Sequence, residues 1–113
     1  MFDTLLSVGP QEGATDLGID LQEREENLIR VSATTPPQAV ANSIFKAICE
    51  QQMLPVVRAI GAGAVAQTCK GIAIARGLVA TRGRDLATTI GFDTIKGDSG
   101  HDISAQTFHL FLR

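Results

Sequence analysis

Residues 58–77 read RAIGAGAVAQTCKGIAIARG, and the fold turns on them. An apolar run ends at Ile60, then Gly61, Ala62 and Gly63 turn the backbone, and a helix of small residues follows at once. Glycine permits positive φ and close backbone approach, and alanine keeps a helix slim, so this segment is built to pack closely against something. Val65, Cys69 and Ile72 fall on one side of that helix, while Ile74 and Leu78 fall on another. One sheet in so short a chain is expected to cover only one side. A partner subunit is the simplest cover for the other, so Val65, Cys69, Ile72, Ile74 and Leu78 form the expected dimer interface.

Upstream, Ile29, Val31 and Ala33 alternate with Arg30, Ser32 and Thr34 from Leu28 onward, which predicts a half-buried strand. Thr34-Thr35-Pro36-Pro37 then supplies N-cap hydroxyls and a proline suited to a first helical turn. Val40, Ile44, Ala47 and Ile48 recur at helical spacing, with Gln38, Asn42 and Lys46 pointing outward, so a helix is expected to run to about Gln52. Residues 53–60 read as a second strand, with Pro55 near its start where a missing donor is tolerated. Downstream, the glycine-led helix is expected to end at Gly77 or slightly later, with that glycine as a left-handed C-cap. Leu86, Thr88, Ile90 and Phe92 alternate as a third strand, and a fourth begins near Asp102 and closes at residues 108–112. Residues 93–101 are then a long, mobile hairpin tip. The order β-α-β-α-β-β predicts an α/β two-layer sandwich, a four-stranded mixed sheet with two helices on one face.

At 113 residues with 44% hydrophobic content the chain supports one modest core. The acids Asp3, Glu12, Asp16, Asp20, Glu23, Glu25 and Glu26 face only Arg24 in residues 1–27, a net of −6. From Leu28 onward nine bases face five acids, a net of +4. Residues 1–26 show no lasting period of 2 or 3.6 and read as an acidic, disordered extension, whose short apolar pieces at residues 5–6 and 17–21 either dock on a partner or are incidental. The domain is expected over residues 27–113. No run of about 18 apolar residues and no basic segment ahead of an apolar one occur, so neither a membrane span nor a signal peptide is expected, and the location is expected to be cytoplasmic. Cys49 and Cys69 fall in helices, away from metal-ligand or CxxC spacing, so no metal and no cofactor are expected.

The segments RVSATTPPQAVANSIFKAI (residues 30–48) and AIGAGAVAQTCKGIAIARG (residues 59–77) resemble the stage V sporulation protein S family, over residues 28–113. That family looks like a branch of the Alba-type fold, so the resemblance implies a dimeric nucleic-acid-binding protein with a role in bacterial sporulation or cell-division control. It also implies cations after the first strand, near the turn after the second, and on an extended hairpin. Here the first loop has no lysine, the second turn is Gly61-Ala62-Gly63, and the hairpin keeps Lys96 flanked by Asp93 and Asp98. Each cation removed from a phosphate contact weakens duplex binding at physiological salt.

The candidate nucleic-acid contacts are Arg30, Arg58, Lys70, Arg82, Arg84 and Lys96. Arg30 and Arg58 occupy outward slots on two strands that form a small basic strip if adjacent, or simply keep those strands soluble. Lys70 lies one turn from Gln67, and the pair would receive a phosphate, satisfy a partner's carbonyls, or face solvent. Arg76 complements the helix C-terminus. Gly61 and Gly63 serve either tight turning and subunit packing or, through free helix amides, an anion. His101 and His109 stand beside no nucleophile with an orienting acid, so no catalysis is expected. The leading expectation is a non-enzymatic homodimer that binds DNA or RNA through phosphate. The rival is a self-assembling structural protein, its second helix and sheet edges driving an oligomer or filament that ignores DNA.

Overall fold

The computed structural model describes residues 27–113, so the expectation of an acidic, disordered extension at residues 1–26 lies outside the described residues. The elements are β1 (Leu28–Val31), α1 (Pro37–Cys49), β2 (Val56–Ala59), α2 (Ala62–Ala80), β3 (Leu86–Lys96) and β4 (Asp102–Leu112), in the predicted order. The four strands form one mixed sheet ordered β1-β2-β4-β3. β1 and β2 are parallel, with Leu28 opposite Val56, and β4 runs antiparallel to both β2 and β3. Val57, Phe108, Leu110, Leu112 and Leu86 point to one face of the sheet, where they bury with Val40 and Ile44 of α1 and Ala64, Ala75 and Val79 of α2.

Local chemistry sets most boundaries, though not always as the sequence suggests. β1 stops at Val31 because the chain turns on its own hydroxyls: the Ser32 amide donates to Thr35 Oγ1 at 3.0 Å, and Ser32 Oγ lies 3.0 Å from both Thr34 Oγ1 and Thr35 Oγ1. Those hydroxyls therefore do not cap α1, whose N-cap is Pro36 without a side-chain bond, while Pro37 takes the first turn as expected. α1 ends three residues earlier than predicted. Gln52 adopts a left-handed φ of 54° and the Met53 amide closes on the Ala47 carbonyl at 3.0 Å.

α2 runs past Gly77, which is an exposed interior residue and not the C-cap. The cap is Thr81, whose hydroxyl donates to the Leu78 carbonyl at 2.6 Å. Beyond Phe92 the strands continue as well. Asp93 to Lys96 pair with Asp102 to Ala105, so the predicted nine-residue tip shrinks to residues 97–101, closed by the Gly97 amide on the His101 carbonyl at 2.8 Å.

Each of the two apolar sides of α2 is covered in part within one protomer. Gln67, Gly71, Ile74 and Leu78 share a stripe that faces α1: the Gln67 amide donates to the Thr35 carbonyl at 2.8 Å, and Gly71 lies against Val40 and Pro37. Ala64, Thr68, Ile72 and Ala75 are buried toward the sheet. Ile72 is thus a core residue, and Ile74 and Val65 pack against the core. Ile72 and Ile74 are engaged within the protomer by the sheet and α1, while Leu78 is half-buried and Cys69 exposed.

The start of β3 is pinned by one carboxylate. Asp85 accepts from Arg76 Nε at 2.7 Å, from the Leu86 amide at 2.9 Å and from Arg113 Nε at 3.4 Å. The Arg76 hydrogen bond holds the Asp85 carboxyl below the usual carboxylate range, outweighing the opposing effect of desolvation. A pKa lowered by folding stabilises above the unfolded value, near pH 4, and that stabilisation is lost as pH falls through the folded value. Asp85→Asn is therefore expected to lower the urea midpoint at about pH 7 and to change it little at about pH 2. Equal losses at both pH values would place the effect in neutral hydrogen bonding instead.

Candidate nucleic-acid interface

The six predicted cations are distributed over three regions of the sandwich. Arg30 and Arg58 are direct neighbours on parallel strands and share the sheet face opposite α1 and α2, which carries no helix among the described residues. Arg58 does not simply project from it. Its Nη2 reaches Asp93 Oδ2 at 3.2 Å, across β4, from β2 to β3. Under that span Ala105 and Thr107 are only 1% and 8% exposed, on a face with no second layer among the described residues. The pair shields β4, and it leaves Arg30 as the member of the basic strip without an ion pair to a described residue.

Lys96 sits at the hairpin end and pairs with Asp102 at 2.9 Å, both well exposed. Exposed pairs of this kind contribute little to stability, and a polyanion can replace the carboxylate. Lys70 lies on the outer side of α2, in the helical layer and so opposite the Arg30–Arg58 face. Its expected companion Gln67 is already engaged with Thr35, so the two do not form a joint phosphate receiver. Arg82 stacks 5.5 Å from the Phe45 ring centroid, and Arg84 is half-buried nearby; both border one cavity at the C-terminal ends of the helices. Arg76 is taken up by Asp85.

The glycine turn shows its packing role directly. Gly61 has φ of 92°, a conformation that L side chains rarely adopt, and a Cβ on Gly63 would stand 2.7 Å from the Ala33 Cβ. The turn is tight because β1's exit loop lies against it. His101 is exposed in the hairpin loop and His109 is half-buried on β4. Among the described residues no group of His, Cys, Asp or Glu could hold a metal ion, and no helix is long and apolar enough to cross a membrane.

Two residues missed by the sequence reading stand out on β3. Ile90 and Phe92 lie opposite Phe108 and Gln106, hence on the helix-bearing face, yet they are 62% and 80% exposed. α2 crosses that face from the end of β1, where Gly63 meets Ala33, to the start of β3, where Arg76 meets Asp85. The far half of β3 is left uncovered. Alternation alone marks Ile90 and Phe92 as facing the helices; only the direction of α2 shows that nothing in the described chain reaches them. Cys69 is exposed and Val65 half-buried on the side of α2 turned away from α1.

Comparison with known proteins places this geometry. Residues 27–113 match the family model described as Stage V sporulation protein S. Among solved structures, the chain is similar to Alba from Thermoplasma volcanium, with a TM-score of 0.51 at 14% identity over 76% of this chain and 98% of that one. At that identity the likeness establishes the Alba-like fold.

Proposed function

Since the chain belongs to the stage V sporulation protein S family of sporulation-related proteins, we propose that it acts by binding rather than catalysis, as a homodimer that holds nucleic acid through phosphate. The observation that carries this reading is a surplus of positive charge that the fold leaves unneutralised. Residues 27–113 carry nine bases against five acids, and Arg30, Lys46, Lys70 and Arg82 make no ion pair with a described residue. Because these cations are spread over several faces, contact with the duplex is shallow and reads no sequence. Dimerisation brings two such sets together and raises avidity without new contacts. The exposed Ile90 and Phe92, next to Val65 and Cys69 of α2, are the surface proposed for that pairing. Acting in sporulation, such a dimer regulates by occupancy along nucleic acid.

The triple variant Arg30→Gln/Lys70→Gln/Arg82→Gln tests this. All three side chains are exposed, so the fold is expected to stand, while affinity for a mixed-sequence duplex at about 50 mM salt should fall by about a hundredfold or more. An unchanged affinity would remove these cations from the account.

A second reading is favoured by one feature, the outer edge of β3, eleven residues long at the margin of the sheet and paired with no strand among the described residues. Such an edge can template strand addition and build a larger assembly. Light scattering separates the two: a dimer that shifts DNA fits the first, and large oligomers indifferent to DNA fit the second.

A further inference from the structure

We propose that the cavity between the C-terminal ends of the two helices and the end of β4 is a binding site for a small amphiphile, with an anionic oxygen head and a short alkyl tail. The cavity arises because α1 stops at Cys49 while α2 continues to Ala80, so the last turn of α2 and the end of β4 lack α1 as a cover. Its volume is about 240 Å³, below the roughly 300 to 1,000 Å³ of drug-sized sites. Ile48, Val79 and Leu112 supply apolar walls, Cys49 a further wall, and Arg82 and Arg84 border it. Among the described residues no acidic side chain lines it.

The two arginines are brought to one cavity by the connector between α2 and β3. Gly83 between them has φ of 76°, the Gly83 amide donates to the Ala80 carbonyl at 3.0 Å, and the Arg84 amide donates to the Val79 carbonyl at 3.3 Å. This folded turn brings both side chains to the border of one cavity, with Arg82 as the exposed member of the pair. Arg82 Cζ lies 5.5 Å from the Phe45 ring centroid, a cation–π contact that biases the side chain toward this site and uses none of its N–H groups. Guanidinium forks pair with carboxylate and phosphate oxygens in two parallel bonds. An apolar floor of about 240 Å³ beside them adds affinity for a short alkyl chain that a bare inorganic anion lacks, and is too small for a long lipid tail. The site shares Arg82 and Arg84 with the nucleic-acid candidates, and it does not require that proposal.

The full chain is treated with iodoacetamide, and the labelling of Cys49 and Cys69 is followed separately by peptide mass. Cys49 borders the cavity and Cys69 lies outside it, exposed on α2, which makes it the internal reference. Octanoate is expected to slow Cys49 saturably, by about tenfold at ten times its half-effect concentration, and to leave Cys69 unchanged. Octanol, which lacks the head, and acetate, which lacks the tail, should each act less than about twofold at matched concentration. Hexyl phosphate acting like octanoate supports the shared head chemistry. Arg82→Gln should raise the half-effect concentration about tenfold, and being exposed it tests the site even if Arg84→Gln fails to fold. Thermal melting is read in parallel, with a saturable rise in Tm expected for octanoate and hexyl phosphate and none for octanol or acetate. Octanol matching octanoate, Cys49 and Cys69 slowing together, or no change in either labelling or Tm would each overturn the proposal. So would a Cys49 already shielded without additive and indifferent to octanoate, since the cavity would then have another occupant.

Discussion

Gly71→Ala is expected to destabilise the protein by about 1 to 2 kcal/mol, although it adds a better helix former to a helix. A Cβ at Gly71 would stand 2.5 Å from both Cβ and Cγ1 of Val40 and 3.1 Å from the Pro37 carbonyl oxygen. Val40 is fully buried, so it has nowhere to move. Overpacking of this kind costs about 1 to 3 kcal/mol, which outweighs the roughly 1 kcal/mol that alanine gains over glycine in a helix interior. A larger side chain has no solution at all, and Gly71→Leu is expected to cost about 4 kcal/mol or more, enough to unfold a domain of this size. Gly77 supplies the control. It lies on the same helix, and a methyl group added there would meet nothing within 4 Å, so Gly77→Ala should gain about 1 kcal/mol. Urea unfolding reads both signs. The double variant Val40→Ala/Gly71→Ala should lose less than the sum of its parts, because one change makes the room the other needs. A stabilising Gly71→Ala would mean that α1 and α2 are not in the close contact described.

Phe92→Asp is expected to run as a monomer at concentrations where the unaltered chain runs as a dimer. Phe92 is 80% exposed, so the change should move monomer stability by no more than about 0.5 kcal/mol. In the proposed dimer the same side chain is buried, and burying a phenylalanine is worth about 1.5 to 3 kcal/mol before the added cost of an unpaired carboxylate. The dimer Kd should therefore weaken by about a hundredfold or more. Sedimentation across a concentration series measures it, and duplex affinity should fall in the same samples as the two cation sets part. A Phe92→Asp chain that keeps the wild-type dimer Kd would remove β3 from the pairing surface.

The order of elements was legible because each start and stop has a local cause. Pro37 announces α1, Gly61 announces α2, and alternation at Ile29, Val31, Leu86 and Thr88 announces strands. Errors arose where a residue type carries two meanings. Gly77 is a common kind of helix stop, yet Leu78 and Val79 beyond it pack inward and carry α2 to Ala80. Asp93 marks a turn in most sequences, but here it stays in β3 and meets Arg58 two strands away, a partner 35 positions earlier in the chain. The surface was harder to read than the fold. That Arg30 and Arg58 would lie side by side followed from adjacent parallel strands, whereas the neutralisation of Arg58 depends on a contact across β4. How much of α2's apolar surface α1 takes up was not legible either, because local sequence does not say where α1 will lie. Alternation placed Ile90 and Phe92 in β3 without saying whether they would be covered, since their exposure is decided by the direction of α2.

The most direct test of phosphate-led binding is the salt dependence of affinity for a duplex of mixed sequence. With three or four cations per protomer meeting phosphate, log K should fall linearly with log salt at a slope of about −3 to −4 per protomer, and the slope should be the same for unrelated duplexes. A slope near zero, or no complex at about 50 mM salt, would contradict the account.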